Sequence, residues 1–131
     1  MKVSLAIASV CNNIMQQQKQ ALIEKNYNEI YAHELAHKRA GGQYAGDIVI
    51  ERNSEGIPFA GHVAIQMPTL DRNNPQKTIE HADTVIASAM APQDPSDQDY
   101  KVAAQAKAIR QQAIEFKNSN PHLGKKLDIQ A

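Results

Sequence analysis

The chain carries a single cysteine, no tryptophan, and aromatic residues at only 5% of its 131 positions. A lone Cys11 excludes an internal disulfide and a thiolate-rich zinc centre, so any metal here must be held by histidine and carboxylate. So few aromatics leave a thin core of Ala, Ile, Val and Leu, drawn from a 42% apolar fraction. Such a core folds alone but gains from a bound metal. Net charge is missing too: 14 basic and 14 acidic side chains cancel, which removes the electrostatic case for nucleic acid or an anionic membrane. Long apolar runs are also absent. Val3 to Val10 is about eight residues, too short to span a bilayer. With one lysine and no clear small-x-small cleavage site it makes a poor signal peptide, so the cytoplasm is favoured over export. Leu5, Ile7, Val10, Ile14 and Met15 read instead as the start of a packed helix. The length fits one domain over residues 1–131, with a core of about 12–117 and a loosely held polar tail over 118–131.

What the chain does have is His33-Glu34-Leu35-Ala36-His37, set in the helix-forming run Tyr27 to Ala40. Positions i and i+4 project from one helix face a turn apart, so both imidazoles can bind one ion. Glu34 leaves the helix beside them, placed to take a proton from a water activated by that ion. This is the arrangement of a zinc-dependent hydrolase. Glu34 and His37 also continue the stripe Ile23, Tyr27, Ile30 at spacings of four and three. Burying ionisable groups on such a stripe costs on the order of several kcal/mol unless a metal or other partners satisfy them.

The remaining punctuation gives an α+β, mainly helical fold: a long helix over 12–40 carrying the motif, a β-hairpin, then two further helices. Gly41 and Gly42 stop the first helix. Ile48 and Ile50 alternate within Asp47 to Arg52, and Val63, Ile65 and Met67 alternate within Ile57 to Met67. Asn53-Ser54-Glu55-Gly56 turns between those runs. Asn74-Pro75 is an N-cap followed by proline at the first helical position, opening a helix to about Met90 with Ile79, Ala82, Val85, Ile86 and Ala89 inward. Pro92 and Pro95 break it. Ser96 and Asp99 form a loose capping box for a last helix with the stripe Val102, Ala106, Ile109, Ala113 and Phe116.

A catalytic zinc site usually has three protein ligands and an open position. The histidines left over are His62, His81 and His122; among carboxylates the candidates are Glu80 and Asp83. His62 is favoured. The turn at Gly41-Gly42 sends the hairpin back across the end of the helix that holds His33 and His37, and small Ala60 and Gly61 allow close approach. Glu80, opening a downstream helix, is the runner-up, with Asp83 one turn on to orient a histidine. Tyr44, just past the helix, is the first choice for an oxyanion donor and Tyr100 the second.

These residues resemble the SprA-related family, small bacterial proteins described as zincin-like metalloproteases. The likeness rests on the His-Glu-x-x-His run followed by Ala40-Gly41-Gly42-Gln43-Tyr44-Ala45-Gly46. It continues through Gly61-His62-Val63, Asn74-Pro75, Thr78-Ile79, Ala91-Pro92, Pro95-Ser96, Gln98-Asp99 and Val102-Ala103-Ala104-Gln105-Ala106. It implies zinc on His33 and His37 with Glu34 as general base. The family often has Gly-Gly-Glu-Val where this chain has Ala60-Gly61-His62-Val63. A glutamate-for-histidine exchange between two good zinc ligands favours His62 as the third.

The expected activity is therefore hydrolysis of a peptide or protein substrate by a zinc metalloprotease. The alternative is a non-catalytic, zinc-stabilised interaction protein. The Ala- and Gln-rich final helix could dock on a partner or on a second copy as a homodimer.

Overall fold

The computed structural model describes residues 2–122, which form a long helix, a two-stranded hairpin and two shorter helices. This is the expected α+β, mainly helical order. Neither glycine nor proline occurs before Gly41, so nothing in the sequence interrupts α1, Lys2–Gly41, over its forty residues. Gly42 then takes φ +53°, a left-handed conformation that glycine adopts without strain, and a single 3-10 turn over Gly42–Tyr44 redirects the chain.

α1 corrects one expectation. Its first half is helical but unpacked: Leu5, Ile7, Val10, Ile14 and Met15 are all exposed. Forty helical residues span about 60 Å, more than the elements that follow can cover, so only the C-terminal half meets a core. There the stripe holds: Ile23 and Ile30 are half-buried, Glu34 and His37 buried, and Tyr27 lies at the edge, stacked on Tyr31.

β1, Ala45–Arg52, pairs antiparallel with β2, Pro58–Ile65. Asn53 closes the turn between them, its Oδ1 accepting from the amides of Glu55 and Ile57, while Gly56 takes φ +80°. Ile48 pairs with Val63 and Ile50 with Gly61, and this half-buried set lies on α1. Two side chains of α1 fasten the hairpin at opposite ends. Asn26 Nδ2 donates to the Pro58 carbonyl (2.9 Å) and Lys38 Nζ to the Gly46 carbonyl (2.7 Å).

α2, Pro75–Ala89, starts as its sequence dictates: Asn74 Oδ1 accepts from the Lys77 amide and Pro75 occupies the first turn. Ile79, Ala82, Val85 and Ala89 are buried, whereas Ile86 is only half-buried. α3, Asp97–Ser119, opens with the full Ser96/Asp99 capping box and packs chiefly on α2. Ala103, Ala106 and Ala113 form its buried face, so its small-residue side is already covered within the chain. Among the described residues no helix is long and apolar enough to cross a membrane. Most of the expected tail, from residue 123 onward, lies outside the described residues.

Candidate metal centre

His33 and His37 sit on the last turns of α1 with ring centroids 4.9 Å apart and their Nε2 atoms separated by 3.2 Å. The four-residue spacing has aimed both nitrogens at one point. His33, Glu34 and His37 each bring a ligand-capable atom within 4.8 Å of the others.

His37 is held from behind. Its Nδ1 lies 2.7 Å from the carbonyl oxygen of Ser88, which can only accept, so Nδ1 carries the proton. In the neutral imidazole, Nε2 then presents a bare lone pair to His33. The Nδ1 of His33 faces a carboxylate oxygen of Asp94 at 3.4 Å, a longer contact to a side chain that is 91% exposed. A carbonyl or carboxylate on the far nitrogen of each ring is the usual way a protein orients metal-binding histidines.

Glu34 is 5% exposed. Burial raises the pKa of its carboxyl, while the imidazoles of His37 and His33, and more weakly His62, pull it down; Asp99 adds to the rise. A base shifted upward from 4.5 is better matched to proton transfer near neutral pH. A cavity of about 640 Å³ opens over these groups, walled by α1, by β2 from Ala60 to Ile65, and by the segment from Asp94 to Val102 that leads into α3. The donors thus lie beside open space.

His62 lies on the wall of that cavity, but on the outer side of β2: its side chain is 56% exposed and its Nδ1 is 3.8 Å from Glu51 Oε1. Neither His62 nor Asp99 of α3 is among the three residues whose ligand atoms all lie within 4.8 Å of one another. The inner side of β2 is occupied by Gly61, where an added Cβ would lie 2.5 Å from Ile30 Cγ2. The close approach expected from the small residues is therefore real, but Gly61 makes it and His62 faces outward. Tyr44 does not line the cavity; its ring stacks on His81 at 3.6 Å, and His81 in turn bonds the Gln66 carbonyl. Tyr100 is 53% exposed and outside the cavity lining. Glu80 is exposed on α2, and Asp83 pairs with Arg110 at 2.6 Å.

The residue missed in the sequence is Asp99. Its carboxylate oxygens lie 3.3 Å from His33 Nε2 and 3.1 Å from His37 Nε2. The capping box already accounted for an acid at that position, which hid its second neighbours.

A family model described as the SprA-related family matches residues 7–119. No match is found among curated proteins or among solved structures.

Proposed function

Because the chain belongs to the SprA-related family and turns two imidazole nitrogens and a buried carboxylate toward one cavity, we propose that it is a zinc-dependent peptide hydrolase of minimal zincin-like build. His33 and His37 hold the ion and Glu34 is the general base. The observation that carries this reading is the 3.2 Å separation of the two Nε2 atoms, with the far nitrogen of His37 tied to a backbone carbonyl. Neutral imidazole nitrogens are good zinc donors, and the bond from Nδ1 to the Ser88 carbonyl leaves the Nε2 lone pair of His37 free to bind.

Zinc, when bound, supplies a Lewis acid that brings the pKa of water toward ~7 and polarises a carbonyl. The chain's own residues do the rest. Glu34 accepts the water proton at its carboxylate and returns it to the leaving amine. Its burial keeps it a competent base without a competing solvent shell. The free side of the cavity admits an extended peptide beside β2, and the hairpin, fastened to α1 at both ends, keeps that wall fixed relative to the histidines.

Protein purified without added zinc should carry about one equivalent of the metal and degrade an unstructured protein such as casein. Glu34→Gln should keep the zinc and lose the hydrolysis; retained hydrolysis would refute the assigned role. Bound zinc that raises the melting temperature, with no hydrolysis in the unaltered protein, would support the zinc-stabilised interaction protein instead.

A further inference from the structure

Building on the zinc reading above, we infer that Asp99 is the third protein ligand of the metal, supplied by the first turn of α3 rather than by the hairpin. The carboxylate faces the same nitrogen of each ring that faces the other histidine: Oδ2 is 3.3 Å from His33 Nε2, and Oδ1 is 3.1 Å from His37 Nε2. A carboxylate that merely oriented a ligand histidine would sit on the far nitrogen, as Asp94 does at His33 Nδ1. The two Nε2 atoms are 3.2 Å apart and each faces its own oxygen of the one carboxylate, so all four atoms crowd a single point. Zinc bonds of about 2.0–2.2 Å in tetrahedral geometry put neighbouring ligand atoms about 3.3–3.6 Å apart.

Hydrogen bonds satisfy at most two of these three contacts at a time. His37 Nδ1 donates to Ser88, so in its neutral form Nε2 has nothing to donate to Asp99. A proton added there could serve His33 or Asp99, but not both. One cation in the middle serves all three.

The position of Asp99 is fixed independently of any metal. Its Oδ2 accepts from the Ser96 amide at 2.8 Å and its own amide donates to Ser96 Oγ at 3.1 Å. The capping box thus pre-orients a ligand, and the side chain loses little further freedom on binding.

Zinc affinity, measured by competition with a chelating indicator, separates the possibilities. Asp99→Asn keeps an oxygen able to accept the Ser96 amide but removes the charge, and it should weaken binding about 100-fold or more, beyond the usual effect of an outer-shell change. Ser96→Ala breaks the same cap and leaves the carboxylate, so it should hold affinity within about threefold, as should His62→Ala. The visible spectrum of the cobalt(II)-loaded protein should change with Asp99→Asn and not with His62→Ala. Unaltered affinity and spectrum in Asp99→Asn overturn the inference while leaving the zinc reading intact, and a large loss in His62→Ala would move the third ligand to β2. Absence of zinc binding in the unaltered protein, or full binding by His33→Ala, overturns both.

Discussion

His37 and Ser88 are bonded to each other twice: the imidazole Nδ1–H donates to the Ser88 carbonyl and the Ser88 hydroxyl donates to the His37 carbonyl, each at 2.7 Å. Ser88 is fully buried and lies fifty-one positions along the chain, so α2 fixes both the ring tautomer and the backbone of α1 at the same point. Ser88→Ala removes one of the two bonds and leaves the carbonyl that holds the ring. We expect a stability loss of about 1–2 kcal/mol, together with a drop in zinc affinity smaller than tenfold. Asp94→Ala, at the long and exposed contact to His33, should do less on both counts. Calorimetric melts and zinc titration check the pair; equal effects at the two sites would mean that the buried Ser88 hydroxyl bond does not fasten α1 to α2 at His37.

Glu34 gives a pH dependence whose sign is fixed by burial. Its pKa in the folded chain lies above the ordinary 4.5, so between the two values the native state holds more protons than the unfolded one. The metal-free protein should therefore lose stability as pH rises from about 4.5 through the folded pKa of Glu34. Glu34→Gln cannot ionise and should be the more stable protein at neutral pH without metal, with the difference closing below about pH 4. Denaturant midpoints of the two metal-free proteins across that range would show it. Parallel curves would mean that the buried carboxylate carries no net penalty.

How far the site could be read from sequence depends on whether each residue acts locally. The spacing of His33 and His37 is a helical property, and four residues on one helix suffice to predict convergence. The hairpin, the Asn74-Pro75 start and the Ser96/Asp99 box are local in the same way, and each formed where its residues indicated. His62 and Asp99 depend on how separate elements meet. Alternation along β2 correctly put His62 opposite Val63, but which side would face α1 was decided by Gly61, the residue that fits against Ile30 and Glu34. Asp99 had a sufficient reason to exist as a cap, and its distance of sixty-six positions from His33 left no periodic trace. The unpacked first half of α1 failed for a related reason: apolar content predicts burial only where something arrives to cover it.

Gly61 therefore sets the distance between β2 and the base. A Cβ there would lie 2.5 Å from Ile30 Cγ2, 3.0 Å from Glu34 Cγ and 3.2 Å from the Val49 carbonyl. Gly61→Ala should destabilise by about 1–3 kcal/mol through overpacking, and should lower peptidase kcat because the carboxylate is pushed from its place. Gly46→Ala makes a fair control, since its added carbon would meet only Ala64, at 3.6 Å and beyond. Melts and kinetics of both variants at saturating zinc test this. A Gly61→Ala protein with unaltered melt and kcat would show that the strand can shift without disturbing Glu34.

Removing the metal should be felt unevenly. α3 packs chiefly on α2, and its first turn meets α1 through the carboxylate of Asp99 near His33 and His37. A ligand at a hundred times its dissociation constant adds about 2.7 kcal/mol to the folded state, so chelation should lower the melting temperature by roughly 10 °C in a domain of this size. The loss should begin where the staple sits. Without zinc only hydrogen bonds join the two imidazoles to the carboxylate, and the joint most easily opened is the segment around Asp94 to Asp99 against α1, since Asp94 is almost fully exposed there. Hydrogen exchange should therefore quicken first at the amides of residues 99–103, while the buried middle of α2 around Ala82 and Val85 keeps its protection. Uniform loss of protection across α2 and α3 would instead mean that the ion supports the whole helical core, with no local joint between α1 and α3.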